Sequence, residues 1–226
     1  MYQAVFFDVF NTLIGAHWPG KSETRQLPLQ RVVERRLGGL DAKWQAAYGR
    51  VHAGQPGEAN WFSRLLAALA DHSGMAGSGP LTLWRRNGAS LHNWLMVYED
   101  TLATLPRLRE MCKLGIISNA WPYLESILQW LGLWEYFESI IISAQVGLSK
   151  PNPAIYELAL RTLHIHAEQA IFVDDMPQHV VAAERVGLKG LWLMRMPILP
   201  QDIPARYRHL TQIYSLEQVI PLVERA

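Results

Sequence analysis

Four segments of the chain place reactive side chains directly after apolar runs. Ala4-Val5-Phe6-Phe7 stops on Asp8 and continues as Val9-Phe10-Asn11-Thr12-Leu13. Leu114-Gly115-Ile116-Ile117 ends on Ser118-Asn119. Ile140-Ile141-Ile142 ends on Ser143, with Lys150 following in the stretch Gly147-Leu148-Ser149-Lys150-Pro151. Ala170-Ile171-Phe172-Val173 ends on Asp174-Asp175. Asp8 could attack an electrophile and form an ester or acyl-phosphate intermediate. Lys150 and the Ser118 hydroxyl could neutralise and hydrogen-bond the oxygens of an anionic group. Asp174 and Asp175 near Asp8 would crowd three carboxylates, which repel and raise one another's pKa unless a cation lies among them. Mg²⁺ suits such a set, because it takes hard oxygen ligands and is usually shared with substrate phosphate. Position 10, two after Asp8, holds phenylalanine where a second acid might have stood.

Singly, each of these residues has an ordinary reading. An aspartate at a strand end is most often a helix cap or a surface acid, and Asp-Asp before a helix commonly interacts with its dipole. Ser118-Asn119 could equally cap a helix, and a lysine before proline is usually solvated. The ordered set points instead to one site, and the elements that carry it explain why. Apolar runs bounded by loops read as buried parallel strands. Between them lie helical patterns at Leu102–Met111, Tyr123–Leu131, Ala154–Leu163 and Gln178–Val186, and the run Gly190–Leu193 follows. Alternation of this kind makes βαβ units and an α/β fold with a parallel sheet. In such sheets ligands bind outside the carboxyl ends of the strands, where Asp8, Ser118-Asn119, Lys150 and Asp174-Asp175 are expected to converge. Pro151 and Pro153 fit a helix start, and Gly132 and Gly187 fit helix C-caps.

Residues 16–95 break the rhythm. They show helical periodicity (Leu29-Val32-Val33-Leu37 and Trp61-Leu65-Leu66-Leu69) with Gly/Pro/Ser-rich separators and no convincing strand. The expected organisation is a catalytic core of residues 1–15 and 96–226 with residues 16–95 inserted as a helical cap. The tail, 201–226, is expected to close a sheet edge and pack a last helix.

Length and composition agree with one core domain carrying an insertion. Half of the 226 residues are apolar, enough for a sizeable core. A formal net charge of +1 gives no electrostatic case for nucleic acid or an anionic membrane surface. The single cysteine, Cys112, excludes an internal disulfide and fits a reducing compartment. The start Met-Tyr-Gln lacks a basic leader, and no stretch approaches the ~18 apolar residues of a membrane span. A soluble, cytoplasmic protein acting on a small anionic molecule is expected, with its oligomeric state open.

Taken together, the four segments resemble the four motifs of the haloacid dehalogenase-like (HAD) hydrolase superfamily, and the insert resembles the cap of its C1 subgroup. Phe6-Phe7-Asp8-Val9-Phe10-Asn11-Thr12-Leu13 is similar to motif I, Ile116-Ile117-Ser118-Asn119 to motif II, Gly147–Pro153 to motif III, and Phe172-Val173-Asp174-Asp175 to the acidic motif IV. The resemblance implies a Rossmann-like core flanked by helices, with Asp8 as nucleophile. It implies Thr12, Ser118, Asn119 and Lys150 around the transferred group, with Phe10 and Asn11 lining the same turn. It also implies Mg²⁺ held by Asp8, the backbone carbonyl of Phe10 and Asp174, with Asp175 as supporting acid.

Phe10 departs from the phosphatase pattern, in which an aspartate protonates the leaving alkoxide and then activates water. Loss of that help is worth ~10²–10⁴-fold in rate. Haloacid dehalogenases proper carry an aromatic there, since halide leaves without a proton, yet they need no metal and lack the paired Asp-Asp. Mg²⁺-dependent phosphoryl hydrolysis is the favoured expectation. Metal-independent dehalogenation of a 2-haloacid at Asp8 is the alternative, and a weakly active or non-catalytic binding member is the third. Asn11 replaces a common glycine but tolerates left-handed backbone.

Several further residues invite weaker readings. His164 and His166 fall in a helix-to-strand connection and read as solvated rather than as a metal pair. His179, early in the helix after Asp175, could reach the site. His17, Trp18, Arg25 and Arg35 could face substrate from the insert. Trp44, Trp61, Trp84 and Trp94 read as helix-packing aromatics.

Overall fold

The structure, a computed structural model, describes residues 2–16, 95–120, 124–195 and 198–224. The expected helices of the 16–95 insert lie outside the described residues, together with His17, Trp18, Arg25, Arg35, Trp44, Trp61, Trp84 and Trp94. The chain divides into two units, Met1–Ile14 with Val97–Ala226, and Gly15–Met96.

The first unit is built on strand β1 (Ala4–Phe7). Two short strands, β2 (Ile14–Ala16) and β3 (Leu95–Val97), pair separately. Then come α1 (Glu99–Arg109), β4 (Lys113–Ser118), α2 (Leu124–Trp130), β5 (Ser139–Ile142), the single turn α3 (Ser143–Val146) and α4 (Pro153–Leu163). β6 (Ala170–Asp174), α5 (Pro177–Val186), β7 (Lys189–Leu193), β8 (Gln212–Ile213) and α6 (Ile220–Glu224) complete it. Six strands form one parallel sheet in the order β5-β4-β1-β6-β7-β8.

β1 is buried along its whole length, as a central parallel strand covered on both faces must be. Its Phe6 sits level with Gly115 of β4. A Cβ on Gly115 would fall 2.5 Å from the Phe6 ring, so glycine there makes the room the aromatic needs. Phe6 continues into a core of Ile117, Ile155, Tyr156, Ala159 and Phe172, where Tyr156 and Phe172 meet edge to face at 5.3 Å. Burying each such side chain stabilises the fold by about 1.5–3 kcal/mol.

Local chemistry sets the helix ends. Asn152 caps α4 by accepting from the Ala154 amide, with Pro153 at the first helical position. Gly187 ends α5 with φ 104°, and Gly132 follows α2 with φ 70°, both left-handed. α1 begins earlier than its apolar period suggests, because Glu99 and Asp100 form an acidic first turn that favours the helix dipole. The tail does place β8 on the edge of β7, and α6 follows a Ser215 capping box. Among the described residues no helix is long and apolar enough to cross a membrane.

Candidate active site

β1 has β4 on one side and β6 on the other, the point where strand order reverses and a crevice opens at the carboxyl ends. Phe7 pairs with Ile116 and with Val173. One residue further, the chain therefore brings Asp8 level with Asp174, and Ser118 lies just beyond on β4. The Asp8 amide donates to the Val173 carbonyl at 2.9 Å, which fixes the strand end.

Lys150 completes the centre. Its Nζ lies 2.7 Å from Oδ1 of Asp8 and 2.6 Å from Oδ2 of Asp174, with the side chain 1% exposed. Ser118 Oγ donates to Asp8 Oδ1 at 3.1 Å. Asn119 holds the lysine in place: its Oδ1 accepts from the Lys150 amide at 2.8 Å, and its Nδ2 donates to the Lys150 carbonyl at 2.9 Å. Asn119 thus spends its amide on the loop that carries Lys150.

The turn after Asp8 is tight. The Val9 carbonyl accepts from the amides of Leu13 and Ile14 at 2.9 and 3.0 Å, and the Asn11 amide donates to Ile14. Asn11 adopts φ 60°, the left-handed geometry that asparagine tolerates better than most residues. Phe10 is half-buried in this turn. Thr12 is fully buried, and its Oγ1 finds no hydrogen-bond partner among the described residues.

Asp174 accepts from the Met176 amide at 2.7 Å, and His179 Nδ1 approaches its Oδ2 at 3.1 Å. The His179 carbonyl in turn accepts from the Tyr156 hydroxyl at 2.9 Å. Of the histidines weighed from sequence, His179 does join the site, while His164 serves as the left-handed C-cap of α4. Trp192 Nε1 donates to the Asp175 carbonyl at 2.9 Å.

Charge is unevenly balanced. Burial would raise the Asp174 carboxyl, but Lys150 and His179 outweigh it and hold the group down at about 2. Burial would also lower the Lys150 ammonium; Asp174 and Asp8 reverse that and raise it. Asp8 is raised by its burial, with the charge of Asp174 adding to the effect against Lys150. Asp175 is pushed well above the usual carboxylate range by burial, then by Asp174 and Asp8, against the charge of Lys150 and a hydrogen bond from Asn11.

One ligand atom from each of Asp8, Asp174 and Asp175 lies within 4.8 Å of the others. Lys150 and His179 hold Asp174 down, while Asp175 stays raised by its burial and then by the charges of Asp174 and Asp8. Hard oxygen donors so placed fit a small divalent cation such as Mg²⁺.

Two further residues were not singled out from sequence. Arg195 follows β7 and donates from Nη2 to the Thr12 carbonyl, while its Nη1 meets both oxygens of Asp100 at 2.9 and 2.8 Å. Tyr98 stacks against that guanidinium, Cζ to ring centroid 3.8 Å. Its hydroxyl is pushed up to about 12 by burial, with Arg195 opposing and Asp175 and Asp100 adding to the rise. The available signal was the position of Arg195 two residues after the run Gly190–Leu193; nothing comparable marked Tyr98.

The family model described as "haloacid dehalogenase-like hydrolase" matches residues 2–187. Among curated relatives, glyceraldehyde 3-phosphate phosphatase of Methanopyrus kandleri is 34% identical over 109 residues, covering 45% of this chain and 45% of that protein. The match thus spans less than half of that relative's length. Among solved structures, a HAD phosphatase from Thermococcus onnurineus is similar at a TM-score of 0.71 and 23% identity, over 98% of this chain and 97% of that one. L-2-haloacid dehalogenase from Xanthobacter autotrophicus, with chloropropionic acid covalently bound, is similar at 0.67 and 20% identity, over 99% of each chain. These two neighbours share the fold and differ in chemistry.

Proposed function

The chain belongs to the haloacid dehalogenase-like hydrolases, and we propose that it is a cytoplasmic, Mg²⁺-dependent phosphatase of a small phosphorylated metabolite. The observation that carries this reading is the convergence of Asp8, Asp174 and Asp175 beside Lys150. Asp174 and Asp8 add to the burial that raises the Asp175 carboxyl, and a divalent cation among the three would offset that repulsion. The phosphatase name of the Methanopyrus kandleri relative supports the same choice.

In this reading an oxygen of Asp8 attacks phosphorus, and the bond from phosphorus to the leaving oxygen breaks, that oxygen taking the electron pair. Water then cleaves the Asp8 acyl phosphate, releasing inorganic phosphate and restoring the carboxylate. Lys150 and Ser118 stabilise the negative oxygens of the transferred group, and Asn119 keeps Lys150 aimed. Thr12, whose buried hydroxyl has no partner among the described residues, and Asn11 line the same turn. Asp8, the Phe10 carbonyl, Asp174 and Asp175 would hold Mg²⁺, which supplies electrostatic screening between the two anionic reactants. Phe10 cannot protonate a leaving group, so the preferred substrates carry good leaving groups, acyl phosphates foremost. Residues 16–95 are assigned the role of a cap that selects the substrate.

Phe10 also favours a second reading, displacement of halide from a 2-haloacid by ester formation at Asp8. One assay series separates the two. Acetyl phosphate, p-nitrophenyl phosphate and 2-chloropropionate are each offered with Mg²⁺ or with chelator. Chelator-sensitive phosphate release is expected. Chloride release indifferent to chelator would reverse the assignment, and silence on all three would favour a binding role. Asp8→Asn should abolish whichever turnover is found.

A further inference from the structure

Arg195 presents an arrangement that the proposed chemistry does not use directly. Its side chain is 12% exposed and that of Asp100 13%. Asp100 is held by more than the arginine: its Oδ2 also accepts from Ser215 Oγ at 3.2 Å and from the Leu216 amide at 2.9 Å. Tyr98 covers one face of the guanidinium. Its other terminal nitrogen, Nη2, reaches the Thr12 carbonyl, while the buried Nε has no hydrogen-bond partner among the described residues. The next carbonyl, Leu13, accepts from the Thr101 hydroxyl at 2.9 Å and from the Tyr98 amide at 3.2 Å. Two successive carbonyls of the turn that leaves Asp8 are therefore captured by one braced cluster.

We propose that Arg195 is a positioning residue that fixes the Asp8–Leu13 turn through the Thr12 carbonyl, with Asp100 locking the guanidinium in the required plane. The physical case is one of geometry. A buried ion pair is weak evidence for stability, because desolvation offsets most of its attraction. What it does supply is a fixed direction, and here the direction ends on backbone four residues from the nucleophile. Lysine could not reproduce it: Nη1 meets both Asp100 oxygens while Nη2, held in the same plane, reaches the Thr12 carbonyl, and an ammonium has no second nitrogen fixed in that plane. The proposal rests on the assignment of Asp8 as nucleophile for its catalytic consequence, but not for its structural one.

The test compares Arg195→Met, Arg195→Lys and Ser215→Ala in the full chain. Ser215→Ala removes a bond to Asp100 while sparing the Arg195 contact to Thr12. Amide hydrogen exchange is read over residues 8–15, and acetyl phosphate hydrolysis is followed in parallel. In Arg195→Met the Leu13 and Ile14 amides should exchange at least ~10-fold faster while those of β4 keep their protection. Its kcat should fall about 10–100-fold with KM nearly unchanged, since a small misplacement of the nucleophile weakens attack rather than binding. Arg195→Lys should show the same pattern in milder form, and added guanidinium should restore part of the Arg195→Met rate. Ser215→Ala should lower the thermal midpoint without either effect. Unchanged exchange at Leu13 and Ile14 in both arginine variants would overturn the proposal whatever the activity. So would an equal kcat loss in Ser215→Ala at matched stability. A wild-type protein without phosphatase turnover would sink the proposed function instead, leaving the exchange result to decide on Arg195.

Discussion

The Lys150 ammonium lies 2.7 Å from Oδ1 of Asp8, although 142 positions separate the two residues in sequence. Parallel strand order brings them together, and the Asn119 amide sets the final approach. The contact keeps the buried Asp8 carboxyl from facing Asp174 without a counter-charge.

Lys150→Met should therefore destabilise the metal-free protein strongly. Removing one partner of a buried pair leaves an uncompensated charge, at a cost of about 3–5 kcal/mol. Urea unfolding in chelator measures it. Adding Mg²⁺ should recover part of the loss, because a divalent cation among the same carboxylates replaces the missing charge. A variant as stable as the parent would show that Asp8 and Asp174 are not both ionised in the folded protein.

The acids respond to pH in opposite directions. Asp174, held at about 2 against its ordinary 3.8, contributes stability that is present above 3.8 and lost as pH falls through about 2. Asp175 is raised, so its sign reverses: ionising it in the folded state costs more than in the unfolded chain. Metal-free protein should lose stability as pH rises above 3.8 toward the elevated value of Asp175. Asp175→Asn should flatten that slope and raise the thermal midpoint at neutral pH in chelator. Mg²⁺ at 100 times its Kd should add about 2.7 kcal/mol to the parent, and distinctly less to Asp175→Asn. An identical slope in parent and variant would exclude Asp175 as its source.

The strands and the centre of the site were legible because one physical rule writes both. A strand buried on both faces must be apolar until it reaches the edge, so Asp8, Ser118 and Asp174 announced themselves as breaks in apolar runs. The room for Phe6 was written as well, as Gly115, but its meaning needed the register that sets those two residues side by side. The bonds between the Asn119 amide and the backbone of Lys150 are a pairing that no periodicity encodes. Arg195 was silent for a related reason. A charged residue after a strand is usually solvated, and only the fold reveals that Asp100 and the Thr12 carbonyl meet it there. The start of α1 was set by acidic residues rather than by apolar spacing, so its first turn escaped a reading based on period.

Phe10→Asp carries the sharpest prediction about chemistry. Phe10 stands two residues after Asp8 in a turn whose backbone is fixed by bonds to Val9, so a side-chain change there need not move Asp8. An aspartate would offer a proton to a leaving alkoxide and then accept one from water. On an alkyl phosphate, where the leaving group needs that proton, kcat should rise by up to about 10²-fold, the lower end of what general acid–base help supplies. On acetyl phosphate, whose leaving group departs without a proton, the first step should gain little, and the change should stay within ~10-fold, reflecting the water step alone. Steady-state rates on the two substrates, with Mg²⁺ present and the same enzyme preparation, give the ratio directly. Equal gains on both would locate the slow step in hydrolysis of the acyl phosphate. A loss on both would mean that the Phe10 ring is needed in its half-buried place, and that the added carboxylate only adds negative charge around Asp8.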